Sequence, residues 1–142
     1  ATAAEFVHVL LKDSTLDPSL RNEMLQELGQ TGGGLFSVKR LPVDEALGST
    51  AMTLARSEKV DERRAGAALL GGVSSPGSRI ELLRMLAEDS DTNVKVVAIR
   101  SLSYVGDPAT RKVLQPYAAQ TADASIRKAA EAAIAELEKG PR

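Results

Sequence analysis

Along the 142 residues, apolar side chains recur at spacings of three and four, and the alternating β-branched runs of a strand are missing. That periodicity predicts a chain built of helices. In SRIELLRMLAED, residues 78–89, one apolar stripe is formed by Ile80, Leu82, Leu83, Leu86 and Ala87. Arg79, Glu81, Arg84 and Glu88 lie mostly off it, so an amphipathic helix of about three turns is expected there. Segments of the same kind are read at 3–12, 43–56 and 109–119.

A second pattern repeats over a longer distance: Asp, two residues, an aliphatic, a basic residue, two residues, a small or apolar residue, three residues, an aliphatic. It occurs as Asp17-Leu20-Arg21-Met24-Leu28, Asp91-Val94-Lys95-Ala98-Leu102 and Asp123-Ile126-Arg127-Ala130-Ile134, with a degenerate copy at Arg63-Arg64-Ala67. An Asp just ahead of a helix accepts hydrogen bonds from the free amides of the first turn and suits the positive end of the helix dipole. The positions four and eight residues beyond the aliphatic share its face, so each copy reads as a capped helix with one buried side. Each is preceded by one of the amphipathic segments above, which makes four helical hairpins in a row. The aliphatic markers, with Arg63 standing in for one, fall at 20, 63, 94 and 126, giving separations of 43, 31 and 32. The first separation is about a dozen residues too long.

These residues, D-x-x-V-R-x-x-A-x-x-x-L at a period near 31 with an L-x-x-L-type helix ahead of them, resemble the HEAT repeat, in the short form also seen in phycobilin lyases. The resemblance is good over 77–138, fair over 3–29 and poor over 43–73, where Arg63 replaces the aliphatic and Gly66, Gly71 and Gly72 are expected to loosen the helix. It implies an all-α right-handed solenoid of about eight helices, the first of each pair on the convex side and the second on the concave side, with stacking supplying the core that no single hairpin has. One domain spanning 1–142 is expected, with repeats at about 3–29, 43–73, 77–106 and 107–139 and an insertion at 30–42. Residues 142 in number suffice for one continuous core. The resemblance also implies that Arg21, Arg64, Lys95 and Arg127 form a structural ladder with Asp17, Asp91 and Asp123, each basic side chain reaching the Asp of a neighbouring repeat.

Charge and composition narrow the function. Eighteen Lys and Arg against nineteen Asp and Glu leave no overall field to recruit nucleic acid or an anionic surface. A basic group at Arg79, Arg84, Arg111 and Lys112 keeps weak nucleic-acid binding as an alternative, opposed by Glu81 and Glu88. There is no cysteine, hence no disulfide frame and no thiolate metal site. Aromatic residues are 3% of the chain and Trp is absent, which leaves little material for base stacking. No apolar run approaches the roughly 20 residues that span a bilayer, and residues 1–12 lack the pattern of a signal peptide, so a soluble chain is expected. His8 is the sole histidine, with only Glu5 and Lys12 on its helix face, and is read as structural. No nucleophile motif occurs, and neither catalysis nor a cofactor is expected. Pro116, inside a helical pattern, is expected to bend or end its helix near Gln115.

The stretch TGGGLFSVKR, residues 31–40, has the spacing of neither phosphate-binding glycine motif and sits where the repeat period is overlong. It reads as an inserted connection whose tip either packs back on the array edge or exposes Phe36 beside Lys39 and Arg40 as an anchor. The second helices present Glu23, Gln26 and Glu27 in repeat one, Val96, Arg100 and Ser103 in repeat three, and Lys128, Glu131 and Ala135 in repeat four. The expected function is that of a non-catalytic protein-interaction module or scaffold, with Phe36, Lys39, Arg40, Glu23, Glu27, Arg100, Ser103 and Lys128 as candidate contacts to another protein or peptide. By the same resemblance, the alternative is a lyase-type or chaperone-type subunit holding a chromophore or client chain.

Overall fold

The protein is seen in a computed structural model that describes residues 9, 13, 15–30, 45–72, 77–119 and 123–139, with 25–30 and 45–47 as backbone alone. Within these, seven helices follow one another: α1 Pro18–Gln30, α2 Glu45–Ala55, α3 Val60–Gly72, α4 Ser78–Glu88, α5 Thr92–Val105, α6 Thr110–Ala119 and α7 Ala124–Glu138. No strand occurs among the described residues. No described helix is long and apolar enough to cross a membrane. The insertion 31–42, with Phe36, Lys39 and Arg40, lies outside the described residues, as does His8. So does most of the expected helix at 3–12, of which Val9 is seen in helical conformation, its carbonyl accepting the Asp13 amide.

Helices α1, α3, α5 and α7 form an inner row in which each packs on the next, and α2, α4 and α6 lie against α3, α5 and α7 respectively from the other side. The motif aspartates set where the inner helices begin. Asp17 accepts the Leu20 amide, Asp91 the Val94 amide at 3.0 Å, and Asp123 the Ser125 and Ile126 amides. At the far end of α5 the chain turns through Gly106 at φ 77°, a left-handed conformation that costs a glycine little, and its amide closes on the Leu102 carbonyl. The core is a continuous run of Leu, Ala, Val, Ile and Met, with Leu69, Leu70, Leu82, Met85, Ile99, Leu102 and Leu114 fully buried. Leu20, the aliphatic marker of the first copy, departs from its expected burial and is 48% exposed, whereas Val94 and Ile126 are buried.

The expected loosening of α3 is overturned. The helix runs unbroken through Gly66, Gly71 and Gly72, all of them buried. A Cβ on Gly66 would stand 2.3 Å from the Ala55 nitrogen, and one on Gly71 would stand 2.7 Å from the Cβ of Ser101 and 2.9 Å from its Cα. Gly66 therefore lets α2 approach α3 backbone to backbone, and Gly71 lets Ser101 of α5 close on the α3 backbone. The Ser101 hydroxyl, buried in that contact, donates to the Ala67 carbonyl at 2.7 Å. Pro116 does not end its helix either: α6 continues to Ala119. The carbonyl deprived of a donor belongs to Lys112, on the exposed side, where water can serve it.

Polar joints tie neighbouring repeats. Arg63, the departure from the motif, bonds Asp89 through Nε at 2.8 Å while its Nη1 donates to the Ser57 and Glu58 carbonyls. A buried carboxylate is thus met by a guanidinium that also serves the turn between α2 and α3. Arg56 grips Glu81 from the preceding repeat, and Arg84 meets the same carboxylate from one turn on. Burial of Glu81 pushes its pKa up, but the hydrogen bonds and charges of Arg84 and Arg56 outweigh this and hold it below the usual value. Arg79 reaches Asp107 at 3.0 Å and the Thr110 hydroxyl.

Candidate functional site

The exposed face of the inner row opens into a groove of about 920 Å³ between α5 and α7. The two helices run in the same direction, their N-terminal ends joined by the Thr92 hydroxyl, which donates to Asp123 at 3.5 Å. Along α5 the wall is Asn93, Val96, Arg100, Ser103 and Tyr104, a stripe at spacings of three and four. Along α7 the wall is Ser125, Lys128, Ala132 and Glu136, at the same spacings. Each α7 position stands 32 residues beyond one on α5, so Ser125 is level with Asn93, Lys128 with Val96, Ala132 with Arg100 and Glu136 with Tyr104. Val97, Ala129 and Ala133 make the floor, and Arg64 reaches in from α3.

The seam stays open here because its middle on the α7 side is filled only by Ala129, Ala132 and Ala133, while the larger apolar side chains Ile126 and Leu137 are buried in the core. The electrostatics are lopsided. Arg64, Arg100 and Lys128 face the groove against the single carboxylate of Glu136. The Arg64 Nε is buried and meets no hydrogen-bond acceptor among the described residues.

A row of paired helices with aspartate-capped inner members at a period of 31 to 32 residues is the geometry that the sequence motif implies. The family model for HEAT repeats matches residues 49–135, well over half of the chain. The chain belongs to the HEAT-repeat family. No curated protein matches it. HEAT repeats generally mediate contacts between proteins or act as scaffolds, and as a type they are non-catalytic.

Of the candidate contacts, this HEAT array brings Arg100, Ser103 and Lys128 together in the one groove. Ser103 is nearly buried and its hydroxyl donates to the Arg100 carbonyl, so it shapes the wall more than it reaches out. Glu23 is exposed on α1, away from the groove lining, and the side chain of Glu27 lies outside the described residues. On α7 the stripe is rotated by one position from that expected: Glu131 and Ala135 are exposed, but Ala132 and Glu136 line the groove. Adding the repeat period to 93, 96, 100 and 104 would have found the α7 wall directly.

The motif aspartates direct their oxygens to helix amides, and Arg21 meets Glu62 at 3.7 Å together with Asn22, whose amide donates to Asp61 at 3.1 Å. That bond is the main cause of the lowered pKa of Asp61, and the charge of Arg64 adds to it. Arg64 itself turns to the groove. On the outer helices the basic group is drawn into ion pairs, Arg79 with Asp107, Arg84 with Glu81 and Glu88, and Arg111 with Glu138 at 3.9 Å.

Proposed function

We propose that this HEAT array is a non-catalytic binding module that holds a segment of another protein in the groove between α5 and α7. The observation that carries the reading is the convergence of Arg100 and Lys128 on a groove floored by Val97, Ala129 and Ala133, away from the outer helices. Solenoids work by offering such elongated surfaces on a semi-rigid frame. Charged side chains mixed with small apolar ones suit a polypeptide, which brings both polar backbone and apolar side chains. A chromophore would call for a deep apolar pocket. The insertion at 30–42, with Phe36, Lys39 and Arg40, is the second contact surface in this proposal.

The test is affinity capture with the purified chain in parallel with Ala132→Trp, which fills the groove from an exposed position. Partners held by the parent chain and lost by a variant of unchanged circular dichroism support the groove as the binding surface. A partner held equally by both overturns it. Shortening residues 31–40 in the same assay asks whether the insertion contributes.

A further inference from the structure

Most arginines among the described residues are spoken for. Arg21, Arg56, Arg63, Arg79, Arg84 and Arg111 each meet a carboxylate of the chain. Arg64, Arg100 and Arg127 form no ion pair among the described residues; the first two line the groove, where Arg64 keeps a buried Nε with no acceptor among those residues. A guanidinium donor shielded from water and left unmet is costly, and an incoming carboxylate would relieve that cost. Lys128 adds a third cation at the opposite wall.

The spacing of these cations can be read from the helix geometry. From Asn93 to Tyr104 the α5 wall rises about 16 Å, a length that about five residues of extended chain would span. Lys128 is level with Val96, and Arg64 enters at nearly the same level from the other flank, since residues 64 and 95 hold the same place in the repeat. Arg100 stands four residues further along, about 6 Å. Side chains two apart in an extended chain fall on the same face and are separated by roughly the same distance. Glu136, held by Lys139 at 3.1 Å, lies about 12 Å beyond the level of Lys128, and no cation of the groove lining stands there to meet a third acidic side chain.

We infer that the groove takes an acidic, extended segment of a partner protein with carboxylates at alternate positions, the first between Arg64 and Lys128 and the second at Arg100, running on to an uncharged or basic residue beside Glu136. The inference rests on the reading of this groove as the binding surface. Small or aliphatic side chains between the carboxylates would meet Val97, Ala129 and Ala133 on the floor. Nucleic acid would present phosphates along the whole groove, including opposite Glu136, and is the less suited polyanion.

The test is an amide-shift titration of the ¹⁵N-labelled chain with three hexapeptide probes: one with glutamate first and third and lysine fifth, an isomer with the two glutamates adjacent, and a counterpart with lysine in place of glutamate. The expected result is a set of shifts confined to residues 93–104 and 125–136 for the alternating peptide, with at least threefold tighter binding than its isomer and no saturation by the lysine peptide. Arg100→Gln and Lys128→Gln are each expected to weaken it threefold or more. Equal binding of all three peptides, no shifts at millimolar peptide, or tighter binding of an oligothymidylate at the same residues overturns the inference. Affinity capture separates the two readings. A partner lost by Ala132→Trp but kept in full by the Arg100→Gln, Lys128→Gln double variant overturns the acidic chemistry and leaves the groove standing. A partner kept by Ala132→Trp removes both.

Discussion

The two seams on either side of α5 use the same kind of residue for opposite ends. Toward α3, Gly71 and Ala67 bring the helices so close that the Ser101 side chain has no room beyond it and bonds the α3 backbone. Toward α7, Ala129, Ala132 and Ala133 face the seam and a groove remains. Small residues permit closeness; they do not enforce it. On the α3 side the approach is locked by a hydrogen bond and by buried leucines, and on the α7 side the bulk of Ile126 and Leu137 lies below the seam, so the upper walls stay parted.

The sharpest way to break this contrast is to add volume on the closed side. Gly71→Val is expected to cost about 3 kcal/mol, at the upper end for overpacking because part of what a new Cβ would meet is the Ser101 backbone, seen as a lowered midpoint in urea unfolding. Next in size is Arg63→Met. It leaves the Asp89 side chain, 7% exposed, without its guanidinium, and should cost about 2–3 kcal/mol. Adding Asp89→Asn should recover part of the loss, and a double-mutant cycle measures the coupling.

A smaller effect is expected from acid. The folded-state pKa of Glu81 lies below its ordinary value of 4.5, so the unfolded chain takes up the proton first. The stabilisation is complete above about pH 4.5 and drains away as the pH falls through the lowered folded value. Thermal midpoints should therefore fall more gently between pH 5 and 3 in Glu81→Gln than in the parent, from a lower starting point at pH 7. Smallest of all is the response of the open side. Ala132→Trp is expected to move the unfolding free energy by no more than about 0.5 kcal/mol, because it occupies solvent in place of packed atoms. A large loss there would mean that the two seams are alike.

What the sequence makes legible follows the range of the forces involved. Capping and amphipathic spacing act within a turn or two, so the helix pairs and the aspartates that open α1, α5 and α7 can be read directly, and α4 spans the Ser78–Glu88 stretch its pattern predicts. Gly71 could not be read in that way. A glycine that weakens a helix and one that admits a neighbour look identical until Ser101, thirty residues on, is placed against it. The roll of α7 is illegible for the same reason: Glu131 and Glu136 are both polar, and only the packing of Ile126 and Leu137 decides which of them faces α5. Arg63 looked like decay of the motif because its partner, Asp89, belongs to the next repeat.

That last pairing has a consequence for how such an array can change over generations. Arg56, Arg63 and Arg79 each bond a carboxylate that lies in the repeat to follow, and no two of these joints use the same pair of positions. Each repeat therefore carries a half of a connector that only its own successor completes. Duplicating the second repeat, or exchanging it with the third, would set guanidinium against the wrong surface at both new junctions. The chain has become a sentence with a fixed word order, and its lineage is expected to lengthen or shorten at the ends and to leave the middle uncut.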